Sequence, residues 1–188
     1  MTIAAAFRTA TATLLVCSGL YTGLVLAVGQ GLTPATADGQ LIARDGEVIG
    51  SRQVAQKFEA PHYLWPRPSA ADYNGAAASG SNKSPTNPEL TERARGEIAR
   101  HGASRERPLP AELATTSGGG LDPHISLAAA LYQMPRIARA RSVPESEVER
   151  VIREQTTMLP LASGTRLVNV LETNLALDTA FPLKDAGG

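Results

Sequence analysis

With a single cysteine, Cys17, the chain has no partner for an internal disulfide, so its fold has to rest on packing and hydrogen bonds. Its three histidines, His62, His101 and His124, are scattered and have no clustered Cys or carboxylate at ligand spacing, which argues against a metal centre. Aromatic residues make up only 4%, and 18 basic side chains balance 18 acidic ones. No basic run interleaved with aromatics is present, so a nucleic-acid surface is excluded. The sequence also lacks a G-x-S-x-G elbow and a P-loop with its lysine. A Ser-x-x-Lys pair ending at Lys83 fails because position 80 is Gly80. No internal repeat is visible.

Charge is missing altogether from one long stretch. Thr9 to Ala37 runs 29 residues without a charged side chain, and its apolar centre is Ala10 to Val28 (ATATLLVCSGLYTGLVLAV). About 20 mostly apolar residues cross a bilayer as a helix, because lipid offers no partner to free backbone groups. Two readings compete. A cleaved signal peptide would start at Arg8 and end at the small-x-small site Ala35-Thr36-Ala37. A retained helix accounts better for an apolar run longer than the roughly 7–15 residues of a signal core. Gly19 and Gly23 form a GxxxG pair that would let a neighbouring helix approach closely. Cys17 reads as a small apolar packing residue. Arg8 precedes the helix and no basic residue follows before Arg44, which places the start in the cytoplasm and the rest outside it.

The expected organisation is therefore an N-terminal segment, residues 1–37, with a transmembrane helix at about 10–30, and one soluble α/β (α+β) domain over 38–188. Leu41 to Arg44 and Glu47 to Gly50 flank Asp45-Gly46 as a β-hairpin. Ser51 is expected to cap a short helix over 52–58. The stretch from Glu59 to Pro88 holds five prolines, yet Trp65 within it needs apolar cover and a polar partner, so it is read as an ordered loop. Thr86 or Asn87 caps a helix reaching about His101, with Glu89 completing a capping box and Leu90, Ala94 and Ile98 on one face. Pro110 to Leu113 forms one turn. Ser126 caps a helix with Leu127, Leu131, Met134 and Ala138 inward, which Pro135 should kink or break. Ser142-Val143-Pro144-Glu145 is a capping box for a helix burying Val148, Val151 and Ile152, with Gln155 at the same spacing. After Pro160 come a strand over 166–171, a short closing helix with Leu171, Leu175 and Leu177, and frayed residues from Lys184 to Gly188.

Candidates for chemistry are few. Ser117, Asp122 and His124 are the residue types of a nucleophilic triad, but closeness in sequence is not triad geometry, and turn and capping roles are the ordinary explanation. Gly118 to Gly120 could cradle an anion, but Asp122 would repel a phosphate, so a tight connection is the better reading. Arg136, Arg139 and Arg141 form a basic cluster of the kind that usually faces solvent and sometimes docks on an acidic partner or lipid head groups. Asn82-Lys83-Ser84 fits a glycosylation sequon, with Pro85 following. By residue chemistry alone the domain is a binding or accessory module sooner than an enzyme. The alternatives are an anchored or secreted hydrolase using Ser117 and His124, and a generic extracytoplasmic binding module.

Four blocks taken together resemble the C subunit (KdpC) family of the Kdp-type potassium-transporting ATPase. They are Val48 to Ser51; Arg67-Pro68-Ser69-Ala70 with Tyr73-Asn74 and Ser79 to Pro88; Ser117 to Ser126 continuing through Gln133 to Arg141; and Val168 to Asp178. Departures are Ala55 and Ala78-Ser79, where the family tends to glycine, and Leu127, where it often has proline. The resemblance implies a subunit with no catalytic residue, metal or cofactor of its own, in a complex that uses ATP, Mg and K. Its implied partners are a channel-like pore subunit, a P-type ATPase subunit and a very small subunit. The family is described as a catalytic chaperone that raises the ATPase subunit's affinity for ATP. Residues in its signature blocks with no assigned role are Arg67, Ser69, Asn82, Asn87, Asp122, His124, Arg136 and Asn169. The implied location is the bacterial inner membrane, single-pass, in contact with lipid.

Anchor and side are checked together on spheroplasts. External protease should digest the domain, and amino-terminal sequencing of the membrane-bound protein should start near Met1. A start at Asp38, or a domain protected until lysis, would overturn these expectations.

Overall fold

The computed structural model describes residues 2–158 and 164–183. The chain divides into two compact units, residues 1–49 and 50–188.

The first unit is the predicted apolar helix, longer than expected. Helix α1 (Ile3–Leu14), a π-helical segment (Leu15–Leu20) and α2 (Tyr21–Leu32) run on continuously as 30 residues from Ile3 to Leu32. At 1.5 Å per residue that is about 45 Å, against roughly 30 Å of bilayer hydrocarbon. None of its side chains is buried. The π-turn is a finding the sequence pattern did not give. Within it the Thr22 hydroxyl donates to the Cys17 carbonyl five residues back, at 3.5 Å. A short helix α3 (Pro34–Ala37) begins with proline, whose missing N–H costs nothing at a first helical position. Strands β1 (Leu41–Arg44) and β2 (Glu47–Ser51) then form the predicted hairpin. Asp45 and Gly46 both have positive φ, 54° and 83°, as a two-residue type I′ turn requires.

In the second unit, helix α4 (Pro88–Arg100) and the turn α5 (Ala111–Ala114) lead to strand β3 (His124–Ser126) and helix α6 (Leu127–Arg141). Helix α7 (Glu145–Glu154), strands β4 (Thr156–Met158) and β5 (Arg166–Asn169), and helix α8 (Val170–Ala180) complete it. The strands form an antiparallel sheet in the order β3-β5-β4, with Ile125 opposite Val168 and Thr157 opposite Leu167. Ile137 of α6, Val148 and Ile152 of α7 and Leu177 of α8 form one core with Ile125 and Val168, joined by Leu64 and Leu113. Each such side chain contributes roughly 1.5–3 kcal/mol on burial. The outer edge of β3 is covered by carboxylates: Asp122 Oδ1 accepts from His124 N at 3.0 Å, and Glu112 accepts from the Ser126 N–H and hydroxyl.

Several local expectations give way to longer-range bonds. Residues 52–58 are not helical. Ser51 Oγ accepts from Gln53 N, Ser51 bridges to Val54, and Ala55 N donates to the Leu121 carbonyl, since so short a polar helix cannot repay its own nucleation. Asn87, not Thr86, caps α4, and Glu89 pairs with Lys83 at 2.6 Å instead of closing a capping box. The Ser142 box does not form either. Ser142 is left-handed (φ 56°) and ends α6, so Pro144 opens α7. Helix α6 continues through Pro135 without a break, and Arg107 donates to the Tyr132 carbonyl in the turn before it. Its buried face is Ala130, Gln133, Ile137 and Arg141, about one residue round from the expected one. Leu127, Leu131 and Met134 are only partly buried, and Ala138 is buried as expected. The strand after residue 165 stops at Asn169, because that side chain caps α8. Strands β3 and β4 were not anticipated. The expectations at Pro160 and Lys184 to Gly188 lie outside the described residues.

The glycine connection has a mechanical reason. Gly120 has φ +73°, and a Cβ there would lie 2.8 Å from the Ser79 carbonyl and 3.0 Å from Ser69 Oγ. Gly118 and Gly119 have open space. Gly120→Ala should therefore destabilise the domain by about 1–3 kcal/mol, and Gly119→Ala by less than about 0.5 kcal/mol. Urea unfolding of the full chain in detergent reads the difference, and equal losses would refute it.

Candidate functional site

The irregular stretch from Ala60 to Trp65 has no strand partner, yet its carbonyls from Pro61 to Trp65 and the N–H groups of Leu64 and Trp65 are bonded by side chains of α6 and α8. Asn174 accepts from Leu64 N (2.7 Å) and donates to Leu64 O (3.1 Å). Gln133 does the same for Trp65, at 2.9 and 3.1 Å. Both amides are buried. The Arg136 guanidinium donates to Pro61 O, Tyr63 O and Gln133 Oε1, and lies 3.6 Å from the centre of the Trp65 ring. Burial and Arg100 lower its pKa to about 10, so it stays charged at neutral pH. Arg141 donates to His62 O, Leu177 O and Phe181 O and pairs with Asp178 at 2.7 Å, its side chain wholly buried. The expected solvated arginine cluster is thus corrected: burying Arg136 and Arg141 is tolerable because carbonyls and a carboxylate surround them, and only Arg139 is exposed. Trp65 Nε1 finds the predicted polar partner in Ala60 O at 3.0 Å.

A second cluster joins Pro66 to Tyr73 to the glycine connection. Ser69 Oγ donates to Gly120 O at 2.6 Å and accepts from Ala71 N and Tyr73 N. Tyr73 donates to Arg67 O, and burial pushes its hydroxyl pKa up to about 12. Arg67 reaches Asp122 at 3.4 Å and Thr116 O at 3.2 Å, with its Nε buried and unpartnered. The His124 side chain, its backbone N–H and Arg67 hold the Asp122 carboxyl below the usual range. Ser117 is buried, and its N–H donates to Pro68 O. Among the described residues no hydrogen bond joins Ser117 to His124.

The remaining signature residues serve as local fixings. Asn87 and Asn169 are helix caps, and Asn169 Nδ2 also donates to Arg52 O at 2.9 Å. Asn82 is exposed at a positive φ of 49°. Gly19 lies in the π-turn and Gly23 in α2, each with open space where a Cβ would be. An open groove of about 520 Å³ is lined by Ile98, Ala103, Ser104, Arg105, Pro108, Leu109 and Ala114, and offers no carboxylate or imidazole. Among the described residues no group of three His, Cys, Asp or Glu side chains could hold a metal ion. Sequence reasoning missed Gln133 and Asn174, though a polar amide repeated on a buried helical face is a legible signal. Arg141→Ala should cost about 3–5 kcal/mol, because it breaks the buried ion pair with Asp178 and removes the donors to His62 O and Phe181 O, and Arg139→Ala less than about 0.5 kcal/mol. Urea midpoints of the full chain in detergent decide this.

Comparison with known proteins places these features in one family. The profile described as KdpC, the c chain of the K+-transporting ATPase, matches residues 3–179. A potassium-transporting ATPase KdpC subunit of Parvibaculum lavamentivorans is 58% identical over 177 residues, covering 93% of this chain and 94% of the relative. KdpC subunits of Ralstonia nicotianae and Sorangium cellulosum are each 45% identical, covering 87% and 92% of this chain and 83% and 97% of their own length. With a match across the apolar helix and the whole folded domain, this chain belongs to the KdpC family, the c chain of the K+-transporting ATPase.

Proposed function

We propose that this chain is a non-catalytic accessory subunit of a high-affinity, ATP-driven potassium uptake complex, anchored in the bacterial inner membrane with its domain on the extracytoplasmic side. The observation that carries the reading is how the polar residues are used. Arg67, Ser69, Asn87, Asp122, Arg136 and Asn169 all serve as internal fixings, and the apolar helix leaves its whole surface for other molecules. Ser117 and His124 share no bond, so nothing favours the hydrolase alternative.

The partners in this reading are a pore subunit, a P-type ATPase subunit that hydrolyses ATP with Mg, and a very small subunit. The Gly19/Gly23 face packs on a neighbouring transmembrane helix, where small residues replace the hydrophobic driving force that lipid does not supply. The domain docks on the outer face of the pore subunit, favoured by tethering close to the membrane. A chaperone effect on ATP affinity then arises through linkage between subunits, since an extracytoplasmic domain does not reach cytoplasmic ATP. Assembly and gating of potassium passage rank above direct nucleotide contact.

Two variants test this in the purified complex. Gly19→Leu with Gly23→Leu should reduce co-purification of this subunit several-fold while leaving its membrane insertion intact. Ser117→Ala and His124→Ala should leave potassium-dependent ATPase turnover within about twofold. Turnover that collapsed in either alanine variant, with assembly preserved, would establish the hydrolase-type alternative over this one.

A further inference from the structure

The chain has one tryptophan, and the C-terminal end of α4 packs against it. Helix α4 places no residue in the buried core. Its C-terminal turn instead surrounds Trp65. Arg100 Cζ lies 4.3 Å from the ring centre, beside the Arg136 guanidinium of α6, and the His101 ring meets the indole edge-on at 5.1 Å. The His101 side chain is only 3% exposed. The charged groups facing it are Glu97 and Arg100 from α4 and Arg136 from α6. Arg107 sits over Tyr132, whose ring is 6.3 Å from His101. Glu97 is the one carboxylate in this set, 3.7 Å from Arg100 and 3.9 Å from His101 Nε2.

We propose that this cluster is an acid-released latch: when His101 takes up a proton, α4 lets go of Trp65 while the core formed by α6, α7 and α8 stays folded. At neutral pH one carboxylate faces two guanidinium groups and an uncharged imidazole. A proton on the imidazole adds a third cation beside one indole, in a site largely closed to water, against that single carboxylate. Burial, Arg136 and Arg100 hold the folded His101 down to about 4, from an ordinary 6.5. Release restores the ordinary value, so between these limits the released state binds more protons, and falling pH favours it. Burial raises Glu97, with Arg100 and Arg93 opposing that rise, so the titration of Glu97 acts in the opposite sense and resists release. The histidine alone shifts the latch equilibrium by up to about 300-fold across this range. Release stays local because α4 shares no buried residue with the core, as in other weakly attached segments. It also dismantles the groove that Ile98 lines with Leu109.

The test titrates the full chain in detergent from neutral to about pH 4, reading Trp65 emission together with hydrogen exchange. The emission maximum should move to the red reversibly, with a midpoint between about pH 4 and 6. Amides of α4 should lose protection in step with it while those of α6 keep theirs. His101→Gln should abolish the transition. Constant wild-type emission, a transition that persists in His101→Gln, or simultaneous loss of protection in α6 would each overturn the latch. If His101→Gln does not fold, the wild-type exchange of α4 against α6 decides alone.

Discussion

Everything in the folded domain depends on how Pro61 to Trp65 is held. Leu64 is wholly buried and Trp65 nearly so, yet the segment is too irregular for a strand to pair with it. Each unpaired carbonyl or N–H there would cost about 1–3 kcal/mol. Five successive carbonyls, from Pro61 to Trp65, instead receive donors from Arg136, Arg141, Asn174 and Gln133. Two amide side chains reproduce what a neighbouring strand would offer, a donor and an acceptor per residue. Because these side chains come from two different helices, the segment can be satisfied only after α6 and α8 are in place, and it in turn fixes their spacing. The core is therefore specified by polar geometry as much as by apolar area.

The same economy extends to the residue types suggestive of chemistry. A catalytic constellation needs groups left over from folding, aimed at a common space. Here the arginines are occupied by carbonyls, Asp122 by a turn and Arg67, and Ser69 by Gly120.

The sequence disclosed the parts governed by local physics. The charge-free helix, the Asp-Gly hairpin, the Asn87 and Ser126 caps and the closing helix follow from patterns within a few residues. It failed where a distant partner outbid a local one. Residues 52–58 gave up a helix for a bond to Leu121. The arginine cluster was misread for the same reason: three cations within six positions look solvated until a proline-rich segment arrives to supply carbonyls. Strand β3 was illegible because three residues carry no period, and its register is set by β5 more than forty residues later.

The carboxylates along the outer edge of β3 bear on the life of the subunit before it finds its complex. A bare sheet margin is a template on which another chain can polymerise. With Asp122 and Glu112 occupying its outward N–H groups, that margin carries negative charge and no vacant donor. The same two acids that shape a turn and brace a helix start therefore also blunt this margin against pairing with a second chain.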